Sequence, residues 1–219
     1  MKVAIVLYPD FTALDAIGPY EVVSRVPGWE VEFVAKKAGP VETDTGITSV
    51  EARRSFTETD SPDIVLVPGG PGSRTEMEDE ETLAWLRRVA PGATWVTSVC
   101  TGSLILGAAG LLDGRRATTY WASHERLREL GAVPVAERVV VDGNVVTAAG
   151  VSSGIDMALT LVAEAHGPEL AQAMQLAIEY DPEPPFDAGH PRKAEPAIVE
   201  IVTRVAAQRD PWLAARLDD

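Results

Sequence analysis

The chain has 219 residues, 46% of them hydrophobic and 24% charged, which excludes disordered and fibrous classes and allows a buried core without staples. Its formal net charge of −14 argues against nucleic acid and against an anionic membrane surface as partners. One cysteine, Cys100, cannot close an intrachain disulfide, and His124, His166 and His190 are too scattered for a zinc site.

Val3 to Leu7 is a continuous, β-branched-rich run and predicts a strand buried on both faces. It is too short for a secretory leader, and no stretch of ~18 apolar residues predicts a membrane span, so a cytoplasmic protein is expected. Thr12 to Arg25 predicts a helix closed by Pro27-Gly28, and Val31 to Ala35 a second strand. Val41 to Arg53 has room for a short strand pair. Ile64 to Val67 predicts a buried strand stopped by Pro68-Gly69-Gly70-Pro71-Gly72. The next helix carries acids first (Glu78 to Glu81) and Arg87-Arg88 last, in the order that suits its dipole.

Thr94 to Val99 predicts a strand and Thr101 to Gly110 a helix, followed by a short strand over Ala117 to Thr119 and a helix ending at Leu130. Asp142-Gly143 between valine runs is a hairpin signal. Ile155, Ala158, Leu159 and Val162 define a one-faced helix, as do Leu170, Ala173, Met174 and Ala177, and again Ile198, Ile201, Val202 and Val205. This alternation predicts an α/β sandwich with a mostly parallel central sheet. A proline-rich loop over 181–191 joins two of these helices, and 1–219 reads as a single domain with the helices of 181–219 packed on it.

The chemically informative segment is Val96 to Leu104. A buried strand runs straight into Cys100, and a small-residue helix follows, the pattern of a nucleophile elbow with cysteine as nucleophile. Such a turn lifts the side chain over the carboxyl edge of the sheet, and the helix start is expected to favour thiolate. The alternative for a lone cysteine is an inert core residue. Asp15, just after the first strand, reaches the same edge; it reads equally as the second half of a capping box with Thr12. The Gly69-Gly70 turn offers either backbone donors for an oxyanion, with Gly70 and the Thr101 N–H as the pair, or a plain chain reversal. Histidine is not placed near Cys100 by spacing. The position after Thr118-Thr119 that points at the elbow is Tyr120, and His124 reads as a surface or interface residue.

These residues resemble the ThiJ/PfpI family, and within it the isocyanide hydratase branch. The resemblance rests on Leu14-Asp15-x-x-Gly18-Pro19, Pro68-Gly69-Gly70, Thr97 to Ser103, Leu106 to Leu112, Arg116 to Thr119, Gly154-Ile155-Asp156 and Pro184 to Gly189, which together cover nearly the whole chain. It implies a flavodoxin-like three-layer α/β/α sandwich, a homodimer, and neither metal nor organic cofactor. It implies hydration of an isocyanide to an N-substituted formamide. Cys100 is then the nucleophile that forms a thioimidate, Asp15 the acid/base partner, and Thr101 a polar neighbour whose amide faces the site. Tyr120 stands where many family members carry histidine, which disfavours peptidase, amidase and glutaminase chemistry. Tyr120 and Trp121, with Phe186, are candidates for an apolar pocket, and each reads equally as a core residue. Two other readings remain in view: a glyoxalase- or deglycase-type enzyme, and a non-catalytic sensor that uses Cys100 as a redox-sensitive thiol. The regulator fusions known among relatives need a second domain, for which no room is expected after Leu176.

Overall fold

The apolar runs become the inner strands of one sheet. In the computed structural model, which describes residues 1–217, the first half of the chain forms β1 (Lys2–Val6), α1 (Ala13–Val23), β2 (Glu30–Ala35), β3 (Gly39–Glu42), β4 (Ser49–Ala52), β5 (Arg54–Ser55), β6 (Ile64–Val67), α2 (Ser73–Glu76), α3 (Glu80–Val89) and β7 (Trp95–Val99). The second half forms α4 (Gly102–Ala108), β8 (Arg116–Ala117), α5 (His124–Glu129), β9 (Val133–Pro134), β10 (Val139–Asp142), β11 (Val145–Ala148), α6 (Ser153–His166), α7 (Pro168–Ala177), α8 (Pro196–Ala207) and α9 (Pro211–Ala215). The single-domain expectation for 1–219 also covers Asp218 and Asp219, which lie outside the described residues.

Seven strands align in the order β10-β11-β7-β6-β1-β2-β5. All neighbours are parallel except β10, which runs antiparallel to β11 through the Asp142-Gly143 hairpin. The central strands are covered on both faces. Every residue of β6 and β11 is buried, which is why β6 is apolar throughout and the one polar residue of β11, Thr147, has its hydroxyl oxygen paired with the Thr118 N–H. Helices α1, α6 and α7 pack together, while α2, α3 and α5 gather around α4. The result is the flavodoxin-like three-layer sandwich. β3 and β4 form the separate strand pair expected between Val41 and Arg53.

Two details refine the sequence reading. Asp79 caps α3 rather than joining it, accepting a hydrogen bond from the Thr82 N–H, and Arg87 and Arg88 close its last turn. The short strand stops at Ala117 because Thr118 and Thr119 leave the ladder: the Thr118 N–H donates to Thr147 Oγ1, and Thr119 Oγ1 donates to the Cys100 carbonyl.

The C-terminal helices differ in how they attach. α9 docks through buried Leu213 and Asp210. α8 contributes no buried residue, and its stripe of Ile198, Ile201, Val202 and Val205 is exposed, so that helix is not packed on the sandwich as expected.

Because β1, β6 and β7 run parallel, their carboxyl ends share one edge. That edge brings together the residues after β1 (Tyr8 to Asp15), the turn after β6 (Pro68 to Gly72) and Cys100 after β7.

Candidate active site

Cys100 takes a left-handed backbone conformation, φ 55°, between the end of β7 and the start of α4. A non-glycine residue pays ~1–3 kcal/mol for this and keeps it only where its surroundings enforce it. Here they do. The Cys100 N–H donates to the carbonyls of Ala148 and Ala149 at 3.0 and 2.9 Å. Its carbonyl accepts from Thr119 Oγ1 at 3.0 Å and from Ser103 Oγ at 3.1 Å. Two glycines make the sharp turn possible. A Cβ on Gly102 would lie 2.1 Å from the Val67 carbonyl oxygen, and one on Gly69 would lie 2.5 Å from the Thr101 nitrogen. Both obstacles are backbone and cannot move aside.

Asp15 lies on the first turn of α1 and is fully buried. Its Oδ2 accepts a 2.8 Å hydrogen bond from the Gly69 N–H. Its Oδ1 is buried without a conventional partner among the described residues, and the carboxyl faces the Cys100 thiol. The capping-box alternative is not formed: Thr12 Oγ1 donates instead to Asp44 Oδ2 at 2.8 Å. Asp15 thus sits on the first turn of α1 with its carboxyl turned to the Gly69 N–H and the Cys100 thiol rather than to a capping box with Thr12.

Electrostatics at the pair are governed by burial. The Asp15 carboxyl is pushed up to about 8, mainly by desolvation, against the lowering pull of the Gly69 N–H and the Cys100 thiol. The Cys100 thiol is pushed well above its ordinary range, first by burial and then by the Asp15 charge. The Thr101 and Val151 N–H groups and the Arg74 charge oppose that rise without overcoming it. The expectation that the helix start favours free thiolate is thus corrected. α4 is short, and the sulfur sits in low dielectric beside a carboxyl. Below about pH 8 the pair therefore holds both protons, above it the pair holds one, and the titration belongs to both groups.

The glycine turn also differs from its oxyanion reading. Gly69 N–H is committed to Asp15, and Gly70 N–H donates to Thr101 Oγ1 at 3.0 Å. The Thr101 hydroxyl in turn donates to the Gly70 carbonyl at 3.2 Å and accepts from Ser73 Oγ at 3.0 Å. Thr101 thus braces the turn with its side chain and addresses the sulfur with its N–H. The donor that faces the sulfur beside it is the Val151 N–H, a residue held at φ 24°. Nothing in the local sequence marks Val151, because only the return of the chain after β11 brings it to the elbow. Arg74 and Ser73, one turn after the glycines, were equally unmarked.

Beside the elbow, Leu14, Thr119, Tyr120, Trp121, Val151 and Phe186 contribute to a groove of about 1000 Å³. The rings of Tyr120 and Trp121 tilt against each other with centroids 5.4 Å apart. None of the histidines is placed beside the sulfur. His166 accepts from the Trp29 indole at 2.9 Å, His124 lies on the groove wall, and His190 is in the proline-rich loop. No cluster able to hold a metal ion exists among the described residues. No helix among them is long and apolar enough to cross a membrane.

A cysteine held at a strained strand-to-helix turn over the carboxyl edge of a parallel sheet, with a carboxyl against it, defines a class of α/β proteins built around one buried thiol. Within that class the chain belongs to the DJ-1/PfpI family, whose family model matches residues 1–164. It is 47% identical to an isonitrile hydratase of Pseudomonas putida over 207 residues, which is 94% of this chain and 90% of the relative. It superimposes on the crystal structure of a ThiJ/PfpI family protein from Pseudomonas syringae with a TM-score of 0.90 at 37% identity, over 97% of this chain and 90% of that one. It is also 31% identical over 174 residues to the transcriptional regulator CdhR of Pseudomonas aeruginosa, matching 75% of this chain and 51% of that longer protein.

Proposed function

We propose that the chain is an isocyanide hydratase, converting R–N≡C and water to the N-substituted formamide. The observation that carries this reading is the buried Cys100–Asp15 pair: a nucleophile and a proton carrier with no imidazole placed beside them. Hydration of an isocyanide needs a nucleophile and a proton delivered to the same carbon, which one carboxyl can manage. The similarity to the P. putida isonitrile hydratase supports the same substrate class.

In the one-proton form of the pair, Asp15 takes the thiol proton as sulfur adds to the terminal carbon. The same proton passes from Asp15 to that carbon, and the product is the thioimidate R–N=CH–S–Cys100. Asp15, again a carboxylate, takes a proton from water as the hydroxyl adds to this carbon. That proton moves on to nitrogen. The C–S bond then breaks as the C=O bond forms, while Asp15 takes the hydroxyl proton and returns it to sulfur. The Thr101 and Val151 N–H groups stabilise charge on sulfur in the first and last steps. Tyr120 and Trp121 line the groove that receives the R group, and its apolar wall suits a bulky alkyl or aryl substituent.

We further propose a cytoplasmic homodimer acting as one domain without a cofactor. The exposed stripe of α8 supports self-association, and a lone buried thiol suits a reducing compartment. The test of function is turnover of an aryl isocyanide, followed by formamide formation, beside an equal assay with methylglyoxal. Turnover of the isocyanide that is lost in Cys100→Ala supports the reading. Turnover of methylglyoxal alone assigns a glyoxalase, and reactivity toward peroxide alone assigns a sensor.

A further inference from the structure

We propose that Asp210, in the C-terminal segment, is a positioning residue for the Cys100 elbow and acts through Arg74 on the Gly69–Gly70 turn and Thr101. The segment lies beyond residues 1–164, which the family model matches.

The connection is a continuous chain of hydrogen bonds. Asp210 is the N-cap of α9; its Oδ1 accepts from the Leu213 N–H at 3.3 Å, and the residue is only 5% exposed. Its Oδ2 forms an ion pair with Arg74 Nη2. The other arm of that guanidinium, Nη1, donates to the Gly70 carbonyl at 3.1 Å and to Ser73 Oγ at 2.9 Å. Ser73 Oγ donates to Thr101 Oγ1, which also accepts from the Gly70 N–H. Gly69, in the same turn, holds Asp15. One planar cation therefore braces the turn that holds Asp15, and the hydroxyl beside Cys100. A guanidinium is suited to this because its fork lies in a fixed plane, and a buried carboxylate on one arm sets the direction of the other.

The segment is itself anchored, so it can act as a fixed point. Arg209 Nη2 donates to the Asp44 carbonyl at 2.8 Å, and the Trp212 indole and Arg216 both reach Glu129, at 3.0 and 2.6 Å. The charged groups that bear on the thiol are Asp15 and Arg74, and a charge on its sulfur would in turn oppose ionisation of the Tyr8 and Tyr120 phenols, of which Tyr8 donates to the Pro68 carbonyl. Loss of the Arg74 anchor loosens the turn and withdraws the cation from the thiol.

This inference uses the hydratase reading for one assay and is independent of it in the other. Asp210→Ala, Arg74→Met, the double variant and Asp210→Glu are compared with the full wild-type chain. Two readouts are taken: kcat and KM with an aryl isocyanide, and the pH profile of Cys100 alkylation by iodoacetamide without substrate. Each single variant is expected to lose ~10-fold in kcat with KM nearly unchanged, and to shift the alkylation profile to higher pH. The double variant is expected to lose no more than either single one, because both break the same chain. Asp210→Glu restores most of kcat. A folded Asp210→Ala that melts earlier but keeps wild-type kcat and alkylation profile overturns the proposal, as does a double variant whose losses multiply. Should wild type turn over no isocyanide, the hydratase reading fails while the alkylation profiles still decide this one.

Discussion

Asp15→Asn separates what the buried carboxyl costs the fold from what it does for the chemistry. The carboxyl is moved from an ordinary 3.8 to about 8 by burial. A group whose folded value is raised favours the folded state below its unfolded value, and that advantage disappears as pH rises through the folded value. The window therefore runs from about pH 4 to about pH 8. At 1.36 kcal/mol per pH unit, the carboxyl costs on the order of 1–2 kcal/mol at pH 5 and on the order of 5 kcal/mol at pH 8. Asparagine has nearly the same shape, keeps an oxygen for the Gly69 N–H and never ionises. Urea unfolding of both proteins at pH 5 and pH 8 should thus show the variant gaining on wild type by about 4 kcal/mol over that interval. The same variant should lose hydration by ~100-fold or more, since no group is left to carry the proton. Stability curves that stay parallel between the two pH values would refute the buried-carboxyl argument, whatever the activity does.

Four further outcomes follow from the geometry. Cys100→Ala or Cys100→Ser should abolish isocyanide hydration, measured as formamide release; residual conversion at wild-type rate would remove the covalent step. The one-proton form of the pair is the reacting form, so kcat/KM should rise with pH toward a midpoint near 8, and a flat profile from pH 6 to 9 would contradict it. Gly102→Ala places a methyl 2.1 Å from the Val67 carbonyl oxygen, and should lower unfolding free energy by ~3 kcal/mol or more in a denaturant titration. Ile201→Glu, on the exposed α8 stripe, should shift the chain from dimer to monomer in light scattering if that stripe is the self-association face.

The strands were legible because burial on both faces favours uninterrupted apolar runs, which β1 and β6 have; β7 is buried from Val96 to Val99 as well, but Thr97 and Ser98 break its run. The elbow was legible as one of two readings, because a strand ending in a lone cysteine followed by Thr101-Gly102 fits a sharp strand-to-helix turn as well as an inert core cysteine. The reach of Asp15 to the same edge followed from parallel order alone. Its state of ionisation did not, since that depends on how completely α1 and the glycine turn close over it. The oxyanion reading of Gly70 failed for a related reason. Its N–H is consumed by Thr101 Oγ1, a residue 31 positions away that no local pattern pairs with it.

By itself, then, the sequence determined the sheet, its parallel sense and the placing of Cys100 and Asp15 on one edge, because hydrophobic periodicity and turn residues act locally. The tertiary structure decided what those residues are to each other. It raised both titrations by burial, turned the Val151 N–H toward the sulfur, and tied the site to Asp210 through Arg74. It also left the α8 stripe open, although its periodicity matches that of helices that are covered. Desolvation, and bonds between distant segments, depend on which surfaces meet, and that is settled only when the chain has folded.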